Sequence, residues 1–237
     1  MERSFDSSKS KAALTLLTHY ATPADLRRAG ATRVARWLKA RGCRNSASVA
    51  TTAIQAARAQ DTALAGEQAS SVLVAKLAAT ILAIDDDLAG IDAQITQALG
   101  LHPDGQLLMS MPGFGPNLAA TFLAQVGGSL NAFESADKLA SLAGLAPVPR
   151  DSGRVSGNLH RPRRFNRRLL RTCYLAALSS LKNSPASRAF YDRKRAEGKS
   201  HKQALIALAR RRMNVIWAML RDHAPYVEPA TALLKTA

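Results

Sequence analysis

Apolar positions in this chain recur every three or four residues, the period of a helix, and no segment alternates as a half-buried strand would. A first helix is predicted around Ala12 to His19. Thr22-Pro23-Ala24-Asp25 reads as a helix start: Thr at the N-cap, Pro at the first helical position, Asp in the first turn. Another start precedes Val34–Lys39, and Gly42 ends that helix. From about Thr62 to Leu99, Val74, Leu77, Ile81, Ile84, Leu88, Ile91 and Ile95 alternate spacings of three and four, a heptad seam of about three repeats. The seam predicts a long helix packed against a partner, either a second chain or another helix of this one. Asp85-Asp86-Asp87 falls beside it, at positions that point in different directions, and reads as a solvated face rather than a metal site.

Beyond Pro103-Asp104-Gly105 the pattern gives a short helix, a glycine turn and a second helix. Ser135 then caps a helix over Ala136 to Ala143 that ends at Gly144. Leu145 to Asn158 is rich in Pro, Gly and Ser and reads as a loop. An apolar helix follows from Leu169 to Leu181, then helices near Ser187–Glu197 and Lys202–Leu220. In the last, Ile206, Ala209, Met213, Ile216, Trp217 and Leu220 form a stripe opposite Arg210 and Arg211. Trp217, Phe165 and Tyr174 read as packing residues, with stacking on a base as the alternative for the latter two. The whole is an all-α fold: a helical segment over 1–61, a coiled-coil helix over 62–100, and a helical domain over 101–237. That domain comprises a helix-hairpin-helix-like part at 107–125, a Ser-Gly loop at 145–160 and basic helices at 161–222.

Composition supports this reading and charge extends it. The chain has 237 residues, 47% hydrophobic and only 5% aromatic, which favours helix over sheet. Two cysteines, Cys43 and Cys173, are too few for a disulfide framework or a zinc site and point to a reducing compartment. The start carries no apolar signal segment, and no stretch is long enough to span a membrane, so a cytoplasmic, nucleoid-associated location is expected. The formal charge is +16. From Pro147 onward there are 20 basic and 5 acidic residues, net +15, against 13 and 12 before it. Such a surplus attracts a polyanion, and DNA is the expected partner of the C-terminal part.

Two segments could carry that binding. In Met111-Pro-Gly-Phe-Gly-Pro-Asn117, Gly113 and Gly115 permit a tight turn, and the following helix start, with Asn117, offers N–H groups to a phosphate. A packing corner without a ligand is the alternative. In the second, Arg161, Arg163, Arg164, Arg167, Arg168 and Arg171 put six guanidinium groups into eleven residues. Arg164, Arg167, Arg168 and Arg171 share one face if the helix already begins there. Ser152 and Ser156 lie just upstream with Arg150 and Arg154. A serine attacking a phosphodiester needs cations to stabilise its own charge and that of the transition state. Most loop serines beside Gly are turn residues, so spacing alone leaves that role open. The chain holds no phosphate-binding P-loop, no nucleophile elbow and no zinc-ligand pattern.

Several motifs occur together in order: Met111-Pro-Gly-Phe-Gly-Pro, Phe133-Glu-Ser-Ala, Leu142-Ala-Gly-Leu-Ala-Pro, Asp151-Ser-Gly, the basic run into Leu169-Leu-Arg, Phe190-Tyr-Asp-Arg and Gly198-Lys-Ser-His-Lys-Gln-Ala-Leu. From about Leu107 to Asp222 the chain resembles the C-terminal domain of the DEDD-type insertion-sequence transposases (the Piv/MooV-related, IS-one-ten class). Tyr20-Ala-Thr-Pro and the long helix are similar to that family's linker and coiled coil. The resemblance implies a cut-and-rejoin DNA recombinase acting as an oligomer, with a guide RNA encoded by the element in part of the family. It implies a serine nucleophile, carried over onto Ser152 with Ser156 as runner-up, and a covalent phosphoserine intermediate. The family's other half is a RuvC-like domain whose four carboxylates bind Mg²⁺. Its place is N-terminal to Tyr20, where only about twenty residues stand. The expectation is therefore a truncated chain with no cofactor of its own. It binds DNA and forms a homo-oligomer through the coiled coil, and its activity without that domain is open. A non-catalytic nucleic-acid-binding module and a structural oligomerisation protein are the alternatives.

Overall fold

Local capping sets the element boundaries in the computed structural model, which describes residues 10–60, 65–149, 153–154, 156–157, 159–160 and 162–229. The chain divides into two compact units, Met1–Ile91 and Asp92–Ala237. Apart from one two-residue strand pairing, the described residues form helices, so the fold is all-α.

In the first unit α1 (Lys11–Leu17) begins at Ser10, whose hydroxyl accepts from the Ala13 N–H. Thr22 caps α2 (Pro23–Ala40) in the same way, accepting from the Asp25 N–H at 3.1 Å, with Pro23 at the first position. The two short helices read from the sequence are one element broken at Gly30, whose φ of 72° no other residue adopts readily. Gly30 thus interrupts the element from inside, while Gly42, at φ 76°, follows its last turn as the sequence predicts. α3 (Ser46–Arg58) packs back on α2, and Leu16, Tyr20, Leu26, Val34, Leu38, Ala53 and Ile54 close a small core.

α4 (Glu67–Leu101) is the long heptad helix, and the division between the units falls within it. Its seam is open: Leu77, Ile84, Leu88 and Ile91 are each more than half exposed. Asp85, Asp86 and Asp87 are exposed, and Asp86 accepts from Lys11 Nζ at 3.1 Å.

The second unit holds α5 (Gly105–Ser110), α6 (Pro116–Val126), α7 (Ala136–Leu142), α8 (Arg167–Ser180), α9 (Pro185–Ala196) and α10 (His201–Arg221). α10 runs through the middle, packed on α5, α7, α8 and α9, while α6 lies on α8. Leu108, Met111, Phe122, Leu139, Leu169, Leu208, Met213 and Ile216 are fully buried between them. Each such side chain contributes roughly 1.5–3 kcal/mol of transfer free energy. Trp217 is half-buried against this core, as its place in the apolar stripe predicts. α10 starts with a reciprocal capping box between Ser200 and Gln203.

Candidate nucleic-acid interface

Between α7 and α8 the chain makes a stalk of two residues a side. β1 (Val148–Pro149) pairs antiparallel with β2 (Leu159–His160), Val148 opposite His160. The segment read as patternless loop is thus closed at its base by this pairing. Within it Arg154 and Ser156 are exposed, and Gly157 has φ 78°. Ser152, Arg150 and Arg161 lie outside the described residues.

The return from this loop is fixed by packing. Gly144, at φ +66°, lies so close to the Phe165 ring that an added Cβ would meet it at 2.6 Å. Phe165 is therefore a packing residue, not a free stacking platform. Asn166 donates its backbone N–H to Leu142 O at 2.8 Å and its side-chain amide to Gln125 Oε1 at 2.9 Å. The same side chain accepts from the Leu169 N–H and so caps α8.

This cap decides which arginines share a helical face. α8 begins at Arg167, so Arg163 and Arg164 precede it and the expected four-arginine face is corrected to Arg167, Arg168 and Arg171. All five are exposed, while Leu169, Thr172, Cys173 and Ala176 turn inward. Among the described residues none of the five pairs with a carboxylate. Cations in the first turn also oppose the positive end of the helix dipole. Their placement therefore does not stabilise α8 and leaves their charge for a polyanion.

A second basic cluster was not singled out by spacing. The cations of Arg193, Lys194 and Arg211 lie 5.2, 5.6 and 5.0 Å from the Phe190 ring centroid. Phe190 and Arg211 sit on different helices, and only the packing of α9 on α10 brings them together. Lys194 also pairs with Glu197 at 2.8 Å, which holds that exposed carboxyl below its usual range. Beside the stalk, a cleft of about 590 Å³ is floored by Leu145, Pro147 and Ile206 and edged by His160, Lys199 and Arg210.

The glycine turn joins α5 to α6, but its two glycines face different surroundings. Gly113, at φ +89°, rests on α8, and a Cβ there would stand 2.2 Å from Ala176 O. Its lack of a side chain serves close packing of the turn on α8. Gly115 and Asn117 are exposed, and nothing lies near Gly115. Asn117 donates to Asp92 Oδ1 at 3.0 Å, which brings a carboxylate beside the first turn of α6. That charge disfavours an anion at this helix start.

Among the described residues no group of three His, Cys, Asp or Glu side chains could hold a metal ion. No described helix is long and apolar enough to cross a membrane.

Residues 105–192, which hold the turn, the stalk, α8 and most of α9, match the model of the transposase IS116/IS110/IS902 family. An uncharacterized 42 kDa protein of insertion element IS900 from Mycobacterium paratuberculosis is 57% identical over 231 residues, covering 98% of this chain and 58% of that protein. An uncharacterized 44.8 kDa protein of insertion element IS116 from Streptomyces clavuligerus is 46% identical, covering 100% of this chain and 59% of its own length. A pilin gene-inverting protein from Moraxella bovis is 31% identical over 148 residues, 60% of this chain and 45% of that protein. The chain thus spans about three fifths of the length of its insertion-element relatives. It belongs to the IS116/IS110/IS902 family of transposases.

Proposed function

We propose that this chain is the DNA-binding, strand-exchanging part of an insertion-sequence transposase. The observation that carries this reading is the row of exposed arginines at 163, 164, 167, 168 and 171, none paired with a carboxylate among the described residues, directly downstream of the stalked Ser-Gly loop. Arginine forks bind successive backbone phosphates without reading sequence. Arg150, Arg154 and Arg161 add to this basic set in the sequence; the turn, Gly113 to Asn117, lies at the other end of α8, near Ser179, and is read as a second contact for the same duplex.

Ser152 is the nucleophile in this reading, with Ser156 in reserve. Its Oγ attacks a DNA phosphorus and loses its proton. The P–O bond to one deoxyribose breaks, and that sugar leaves as a hydroxyl once protonated. The phosphoserine formed keeps the phosphodiester's energy, so a hydroxyl of another strand can attack it, restore the serine and rejoin the DNA. The guanidinium groups offset the charge that builds on phosphorus. Mg²⁺ is assigned to an acidic RuvC-like domain, not to these residues. An RNA guide is a further polyanion the basic half could hold. Two or more copies pair through the open seam of α4, which an oligomeric exchange complex requires.

The binding step is tested by titrating the chain onto duplex DNA at several salt concentrations. Affinity should fall steeply with salt, and Arg167→Ala, Arg168→Ala and Arg171→Ala should each flatten the slope by about 0.9, the loss of one phosphate contact. Ser152→Ala should bind as the parent does. Slopes unchanged in all three arginine variants would move the interface elsewhere.

A further inference from the structure

Arg212 is the one cation of α10 that is buried, 5% exposed. Its Nη2 donates to the carbonyl of Pro112, the residue before Gly113, and its Nη1 donates to Ser187 Oγ at 3.1 Å. Among the described residues no carboxylate pairs with it. Burial pulls its pKa down to about 10, and the nearby Tyr226 and Glu228 oppose that pull. A charge so far from water needs a compensating one.

That charge arrives from the C-terminal tail through two hydroxyls. Ser184 Oγ lies 2.9 Å from both Ser187 Oγ and Glu228 Oε1. Each hydroxyl has one proton to give. Every partner is satisfied if Arg212 donates to Ser187, Ser187 to Ser184, and Ser184 to the Glu228 carboxylate. All the dipoles then run from cation to anion, and the bonds reinforce one another. The carboxylate is itself held: Oε1 accepts from the Ala186 N–H at 2.8 Å and Oε2 from the Tyr226 hydroxyl at 2.8 Å. The Tyr226 N–H donates to Ser110 Oγ at 2.9 Å, which ties the tail to the last residue of α5.

We propose that Arg212 is a positioning residue that clamps the Met111–Gly115 turn onto α8, and that Glu228 is the counter-charge that keeps the clamp closed. The turn is held on two sides: Gly113 lies against α8 at Ala176 and Ser180, and Pro112 is held by Arg212. The clamp therefore fixes the turn relative to the helix that carries the arginines. Its effect on DNA rests on the reading above, in which the turn is a second DNA contact at the other end of that helix.

The test uses the full chain with Glu228→Gln, Arg212→Met, Arg212→Lys, Asn117→Ala and the pair Glu228→Gln with Asn117→Ala. Hydrogen exchange is followed at the amides of Phe114 and Ala119, bonded to Met111 O and Gly115 O. Glu228→Gln keeps the shape and removes only the negative charge, so the unit still folds. Exchange at these two amides should rise about tenfold with the first unit's amides unchanged. Arg212→Met should exceed that, and Arg212→Lys should recover part of the loss. Glu228→Gln should weaken DNA binding several-fold, and its effect should not multiply with that of Asn117→Ala, since both act through one turn. Unchanged exchange in Glu228→Gln, or fold-changes that multiply, overturns the proposal. Raised exchange with DNA affinity unmoved in both Glu228→Gln and Asn117→Ala keeps the clamp and removes the turn from the DNA face.

Discussion

Gly113 and Gly115 stand two residues apart in one turn, yet they should respond to the same substitution with very different costs. Gly113→Ala forces a Cβ into the α8 backbone at a positive φ and should cost about 3 kcal/mol or more in denaturant unfolding. Gly115 has φ −93° and open space, so Gly115→Ala should cost under about 1 kcal/mol. Equal costs would mean the turn does not rest on α8. Cys173 gives a second contrast. Its thiol is buried beneath the arginine face, and burial pushes its pKa from 9.0 to about 12. Above pH 9 the unfolded chain releases this proton while the native chain keeps it. The stability tied to it is therefore complete below pH 9 and is lost as pH rises toward 12, by up to about 1.4 kcal/mol per pH unit. Wild type should lose stability to urea faster than Cys173→Ala between pH 9 and 11, and native Cys173 should resist alkylation at pH 8. The sequence showed which residue types stood here but not what each touches. Phe165 beside Gly144, and Arg212 on Pro112, are contacts across 21 and 100 positions that no spacing encodes.

Among the elements, those with local signals were legible. Thr22 and Ser135 cap their helices, as read, through bonds within three residues, which a short window of sequence contains; Ser200 does the same for α10 but was not singled out. Asn166 was missed as the cap of α8 because the apolar pattern begins only at Leu169, two residues inside the helix. The heptad of α4 was legible as a helix, and its open seam makes a prediction at this scale. Ile84→Lys with Leu88→Lys should reduce the sedimenting species to monomer at micromolar concentration. Thermal unfolding of the second unit should stay unchanged. Persistence of the same oligomer would place the association elsewhere. The stalk was invisible to pattern because two residues a side show no period.

For the whole molecule, the charge was the most legible feature, because a net +15 after Pro147 needs no structure to be counted. Its arrangement was less so: α9 and α10 gather Arg193, Lys194 and Arg211 around Phe190 only after folding. In the proposed reading Mg²⁺ belongs to a RuvC-like domain, so chemistry is best sought with that domain and Mg²⁺ supplied. The most direct test of the central claim is covalent trapping on labelled DNA carrying the element's ends, with any RNA the element encodes, read on a denaturing gel. The account predicts a protein–DNA adduct that maps to Ser152 and disappears in Ser152→Ala. An adduct that survives Ser152→Ala but not Ser156→Ala would move the nucleophile. Salt-sensitive binding with no adduct in any mixture would contradict the serine mechanism and leave a DNA-binding protein.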